Sequence, residues 1–166
     1  MKTKPIFIIG GVIIIVAVLG LVWYFMPKPD PAQELHTVTL YHYDMQKDTA
    51  ADGVVACSPD SLVAVERKIR GTDPIHRTLE LLLEGDVSRE EQAAGLSTEF
   101  PLSGVSLGDT TLQEGGTLHI TIVDEGSRTS GGACRVGLMR GMIEKTALQF
   151  PEVRAVVIAP DEVFQP

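Results

Sequence analysis

A chain of 166 residues has room for one domain with a short attachment and too little for two independently folded enzymatic halves. Its formal net charge is −8, and because Lys2, Lys4 and Lys28 flank the first apolar run, the remainder sets 11 basic residues against all 22 acidic ones, a net of −11. So acidic a surface repels phosphate backbones, which argues against nucleic acid as a partner, and it gives anionic lipid headgroups nothing to hold by charge.

Ile6 to Met26 is a stretch of about 21 residues without a charge, enough at about 1.5 Å per residue to cross a hydrocarbon core of about 30 Å. Trp23 and Tyr24 fall at its far end, where amphipathic rings favour the headgroup region. Lys2 and Lys4, in a tail of residues 1–5, place the N-terminus in the cytoplasm and the bulk of the chain outside. A cleaved signal peptide is the competing reading. The run is longer than a typical signal core, and Tyr24-Phe25-Met26-Pro27 offers no small-x-small cleavage site. A lipid anchor lacks its cysteine, since none precedes Cys57. Residues 27–35, with three prolines in five positions, predict an extended spacer, and the domain is expected over 36–166.

His36 to Asp44 is dense in β-branched and aromatic residues and predicts the first strand, followed by a polar loop from Met45 to Gly53. Leu62 to Ile69 predicts a second strand with Val63, Val65 and Ile69 on one face, a face that Arg67 interrupts. From Thr72 to Gly85 the signature is helical. Thr72 or Asp73 caps, Pro74 suits the first turn, Ile75, Leu79, Leu82 and Leu83 recur at helical spacing, and Gly85 stops the helix. Ser88-Arg-Glu-Glu91 has capping-box spacing and predicts a short helix ending by Gly95, with a loop through Phe100-Pro101. Strand-like residues near Val105 to Leu107 lead to a turn at Glu114-Gly115-Gly116 and to Thr117–Val123, where Leu118, Ile120 and Ile122 alternate inward. A second long helix carries Val136, Met139, Ile143 and Ala147 toward the sheet and ends near Phe150-Pro151. The final strand, Val153 to Ala159, is almost wholly apolar and is expected at the centre of the sheet. The order is β-β-α-β-β-α-β with one extra short helix: an α+β domain with one mixed sheet and two main helices packed on it.

The strands at 36–44 and 62–69, the helix ending Leu81-Leu-Leu-Glu-Gly85, the Gly95-Leu-Ser-Thr-Glu-Phe-Pro101 segment, the Gly116-Thr-Leu-His-Ile-Thr121 strand and Gln149-Phe-Pro-Glu-Val153 before Val156-Val-Ile158 together resemble a GerMN domain, over nearly all of residues 36–166. The resemblance implies a non-enzymatic extracytoplasmic module, similar in shape to the small ring-building domains of secretion-like complexes and working through protein contacts. Sporulation members of that family typically carry tandem copies on a lipid anchor. Here there is one copy behind an apolar segment.

Cys57 and Cys134 are expected to pair as a disulfide in an oxidising exterior, closing a loop of 77 residues. Two alternatives stand beside it: a pair of buried free thiols, or a reactive Cys134 at a helix N-terminus with a lowered thiol pKa. The second would make the chain a thiol-dependent envelope enzyme using His119 or His42. His36, His42, His76 and His119 show no i,i+4 pair and no Cys/His cluster, so each is expected to be satisfied or solvent-facing and no metal is assigned. Thr129-Ser-Gly-Gly132 lacks the ending of a phosphate loop and predicts a helix cap and hinge. Asp124 and Glu125 lack a calcium-loop ligand series and are expected as solvated loop charges. No catalytic residue, cofactor or small-molecule ligand emerges. The expected function is a membrane-anchored interaction domain contributing to an envelope-associated complex, with a protein partner or a second copy as its contact. A stalked solute- or glycan-binding module is the remaining alternative, and an aromatic content of 5% speaks against stacking sugars.

Overall fold

The computed structural model describes Leu21, Tyr24 and residues 34–166. The chain divides into two units, Met1–Pro31 and Ala32–Pro166, and the strands among the described residues lie in the second. The tail at 1–5, the apolar segment 6–26 apart from Leu21 and Tyr24, and most of the spacer 27–35 lie outside the described residues, among which no helix is long and apolar enough to cross a membrane.

Among residues 34–166, six strands, β1 (Leu35–Asp44), β2 (Leu62–Arg70), β3 (Leu96–Ser97), β4 (Val105–Leu112), β5 (Thr117–Asp124) and β6 (Ala155–Ala159), are interspersed with four α-helices. These are α1 (Met45–Asp48), α2 (Pro74–Leu83), α3 (Arg89–Ala93) and α4 (Ala133–Ala147). The class is α+β, as the hydrophobic periods dictate, but the strands build two three-stranded sheets, β2-β1-β3 and β4-β5-β6, where one mixed sheet was expected. The reason lies at the edge of β1. Strand β3 pairs only with Tyr43 and Asp44, and the next stretch of β1 is covered by side chains instead of a strand. The Gln149 carboxamide, just beyond the end of α4, accepts from Thr39 N at 2.6 Å and donates to Thr39 O at 2.7 Å, while Thr146 Oγ1 accepts from Tyr41 N at 3.3 Å. A primary amide offers the same donor and acceptor as a peptide unit, so Gln149 closes the sheet edge as a strand would.

The long helices behave as their periodicity predicts. Asp73 caps α2 by accepting from His76 N, Pro74 occupies the first turn, and Leu79, Leu82 and Leu83 are buried. Gly85 ends the helix at φ +73, and a Cβ there would collide with the Phe100 carbonyl and the Pro101 ring. Two of the segments that carry the family resemblance therefore meet at van der Waals distance. Helix α4 buries Val136, Met139, Ile143 and Ala147, packing on β1, and touches α2, which packs on β1 and β4. Leu118, Ile120 and Ile122 of β5 complete one continuous core; each such side chain contributes about 1.5–3 kcal/mol by burial.

Other departures have local causes. Met45–Gly53, expected as a loop, opens with α1 because the Asp44 carboxylate accepts from Gln46 N and Lys47 N. Leu96–Ser97 is a short strand, and β4 runs on to Leu112 through an irregularity between Leu107 and Thr110. The apolar strand β6 sits at an edge, parallel to β5, and its other side has no strand partner among the described residues. Its composition suggested a central position; the parallel crossover through α4 delivers it instead to the outside of β5.

Candidate functional site

Between β1 and β2 the chain forms a tip that is pinned at its base and carries exposed apolar side chains near its end. The base is Asp48, a buried carboxylate that accepts from Tyr43 Oη at 2.8 Å, Cys57 N at 2.8 Å and Ser58 N at 2.9 Å. The Ser58 amide, against the opposing effect of burial and with help from Tyr43 and Cys57, holds the Asp48 carboxyl below its ordinary range. Burial, and then the bond to Asp48, pushes the Tyr43 hydroxyl up to about 12. Above the base, Thr49 bridges Val55, Ala50 N donates to Val54 O at 2.9 Å, and the Asp52 carboxylate accepts from Val54 N at 3.0 Å across Gly53, whose φ is +82. This is a tight hairpin on an Asp-Gly turn.

Helix α4 grips the tip at two places. Cys134 in its first turn is joined to Cys57 by a disulfide with Cα atoms 5.2 Å apart, and Lys145 near its end donates to Pro59 O at 2.6 Å. Cys57 sits at φ +55, a conformation unfavourable for a side chain, which the Asp48 bond and the disulfide together enforce. With both cysteines closed there is no free thiol to act as a nucleophile.

The pinned tip presents exposed apolar side chains among the polar Gln46, Lys47 and Asp52. Val54 is 60% exposed, Val55 43% and the adjacent Met45 57%. Beside them lies a shallow cleft of about 550 Å³ lined by Met45, Gln46, Thr49, Gln92, Leu96 and Ser97 among others. Exposed apolar side chains on a rigid support suit a protein contact, because little conformational entropy remains to be lost on docking. Reading Met45–Gly53 as a polar loop missed this tip. The available signal was Asp52-Gly53 flanked by Ala50-Ala51 and Val54-Val55, a hairpin signature in its own right.

A second polar cluster is structural. Arg67, which interrupts the apolar face of β2, uses all five N–H donors: Nε to Asp86 Oδ2 at 2.5 Å, Nη1 to Glu91 Oε1 at 2.8 Å and Glu66 O at 2.9 Å, Nη2 to Glu91 Oε2 at 2.6 Å and Asp86 O at 2.9 Å. Glu91 is also the capping-box partner of Ser88, so one carboxylate starts α3 and ties it to β2. The Arg67 guanidinium, outweighing partial burial, holds the Glu91 carboxyl down at about 2.

His42 belongs to this neighbourhood and departs from expectation, being neither satisfied nor solvent-facing. It is 0% exposed, and neither ring nitrogen has a hydrogen-bond partner. Burial lowers its pKa, followed by opposing influences of Glu91, which favours the imidazolium, and Arg67, which disfavours it; Asp86 also favours the charge. A base depressed in the fold is protonated first in the unfolded chain. Stability attributable to neutral His42 is therefore full above pH 6.5, the ordinary value, and declines as pH falls below it, by at most about 1.4 kcal/mol per pH unit. His42→Leu is expected to abolish that slope in urea titrations between pH 7 and 5 without loss of stability at pH 7; a slope unchanged in the variant would refute the assignment.

Asp124 likewise is no solvated loop charge. Its carboxylate accepts from the amides of Gly126, Arg128 and Thr129 and from Thr129 Oγ1, and Thr129 Oγ1 in turn accepts from Phe164 N. Burial opposes ionisation there, but these donors outweigh it and hold the Asp124 carboxyl at about 2. The hinge expected at Thr129–Gly132 is thus fastened at Thr129. Gly132 is the N-cap of α4, with no side-chain cap bond. His36 meets Gly71 O, His76 meets Thr110, and among the described residues no group of His, Cys, Asp and Glu could hold a metal ion.

These features define a small α+β domain of two sheets backed by long helices and stapled by one disulfide. A family model described as Germane, sporulation and spore germination, matches residues 39–162. The chain belongs to this family. Among solved structures it is similar to the tandem GerMN domains of the sporulation protein GerM from Bacillus subtilis, with 16% identity and a TM-score of 0.50 over 80% of this chain and 41% of that one. At that identity the likeness concerns the fold alone, and the chain spans less than half the length of the tandem structure. No curated protein matches the sequence.

Proposed function

We propose that this chain is a membrane-anchored, extracytoplasmic and non-enzymatic contact domain that helps to assemble an envelope-associated protein complex of the sporulation or germination type. The observation that carries the reading is the tip: Met45 on α1 and Val54 and Val55 on the hairpin stand exposed on a support fixed by Asp48 and by Cys57–Cys134. A disulfide suits an oxidising exterior, and the uncharged segment from Ile6 to Met26 supplies the anchor. Closure of both cysteines weighs against the thiol-enzyme alternative.

A photo-crosslinking residue at Val54 of the full chain, expressed in its own cell, tests the contact. One discrete adduct is expected, and Val55→Asp is expected to reduce its yield at least fivefold while leaving the melting temperature unchanged, because Val55 is exposed. Protease added outside intact spheroplasts is expected to remove the domain. Protection from that protease would overturn the extracytoplasmic placement, and an adduct pattern indifferent to Val55 would overturn the tip as the contact.

A further inference from the structure

We infer that Met45 is a peroxide-sensitive site whose oxidation to the sulfoxide switches off the contact made by the tip. The inference rests on the tip being the contact, as proposed above.

Three of the five methionines are among the described residues, and they differ in access. Met139 and Met142 are 0% and 1% exposed, and the Met142 sulfur also accepts from Thr98 Oγ1, whereas Met45 is 57% exposed. An oxidant in solution therefore reaches Met45 with the fold intact and reaches the other two only if the core opens. Nothing at the tip competes for it. Val54, Val55 and Leu96, the other apolar side chains of the tip and its cleft, are hydrocarbons, and both cysteines are already joined, so no free thiol is on offer among the described residues. The reaction is a two-electron oxygen transfer. A lone pair of the Met45 sulfur attacks one oxygen of hydrogen peroxide, the O–O bond breaks as the S–O bond forms, and the sulfur is oxidised to the sulfoxide. The second oxygen, reduced, leaves as water with both protons.

The product alters what the tip offers and leaves its support in place. Met45 opens α1, and its carbonyl accepts from Thr49 N at 3.0 Å and from Thr49 Oγ1 at 2.7 Å, so its backbone stays fixed whatever the side chain carries. The bonds of Asp48 and the Cys57–Cys134 disulfide do not involve the Met45 side chain. The added oxygen instead appears on the wall of the cleft, where Met45 and Leu96 are the large apolar residues beside the uncharged Gln46, Thr49, Gln92 and Ser97. A thioether gives up little water when it docks against apolar groups. A sulfoxide oxygen is a strong acceptor that must shed its water on docking and finds no donor on an apolar partner, so the oxidised tip binds more weakly.

The test uses the full chain with the photo-crosslinking residue at Val54, in spheroplasts of its own cell, treated with hydrogen peroxide before irradiation. Peptide mapping is expected to find Met45 oxidised about tenfold faster than Met139 and Met142, and the adduct yield to fall about fivefold in step with the Met45 sulfoxide fraction. The melting temperature of the full chain in detergent is expected to be the same before and after treatment. In Met45→Leu the untreated yield, whatever its size, is expected to be unchanged by peroxide. Absence of any adduct before peroxide would overturn the contact at the tip, and this inference with it. An adduct that persists once Met45 is fully oxidised, a peroxide effect of equal size in Met45→Leu, equal oxidation of the buried methionines, or a lowered melting temperature would overturn this inference alone.

Discussion

Replacing Cys57 and Cys134 together by serine is expected to lower the unfolding free energy by about 4 kcal/mol, a large fraction of the roughly 5–15 kcal/mol available to a domain. The bond closes a 77-residue loop, so in its absence the unfolded chain regains the conformational freedom that the loop denied it. The loss is tempered at one point. Cys57 occupies φ +55, and a chain freed of the bond can relax that residue at the expense of the Asp48 bonds. Urea titration of the domain with and without reductant checks the figure: wild type under reductant and the double serine variant should share one midpoint. A variant within about 1 kcal/mol of the oxidised wild type would show that the staple adds little beyond the packing of α4.

Arg67→Met carries the second large effect, an expected loss of about 3 kcal/mol. Arg67 and Glu91 are each 16% exposed at the side chain, and their removal from water is compensated chiefly by one another and by Asp86, with Glu66 O and Ser88 N completing the set. Taking away the guanidinium leaves two carboxylates facing each other with the buried His42 ring nearby. The pH dependence has a definite sign. Glu91 has a folded value of about 2 against 4.5, so its contribution is present above pH 4.5 and lost as pH falls toward 2. In Arg67→Met that acid limb is expected to shrink, and adding Glu91→Gln should recover part of the stability at pH 7 by removing the orphaned charge. Denaturation midpoints at pH 7 and pH 3 for the three proteins decide this, and a single variant as stable as wild type at pH 7 would refute the ion-pair account.

The sequence was most informative where a residue acts with neighbours two to four positions away. Asp73, Pro74 and Gly85 delimit α2, the Ser88/Glu91 box opens α3, and Leu118, Ile120 and Ile122 point inward from β5, all as their spacing predicts. It was least informative where a side chain stands in for backbone or bonds across the fold. Gln149 bonds Thr39 at a separation of 110 residues, and no local pattern marks an amide that closes a sheet edge. Taking such an edge for an ordinary one led to a single sheet. Asp48 and Asp124 resemble loop carboxylates by composition, yet each collects backbone amides from a chain segment several residues ahead. Arg67 marked the apolar face of β2 as irregular, and only the arrival of Asp86 and Glu91 from a later segment explains it.

The disulfide also alters how the domain would bear a mechanical load. A pull applied at Leu35 and taken up at Pro166 runs along the polypeptide to Cys57, crosses the bond, and continues from Cys134, so the intervening residues carry no tension. With about 3.4 Å per extended residue, roughly 260 Å of contour is withheld while the bond stays oxidised. Strands β2, β3, β4 and β5 all lie inside that sheltered length, and β1, α1, α4 and β6 stand in the line of force. Oxidised, the domain lengthens only through the segments outside the loop; reduced, the sheltered length is added to them.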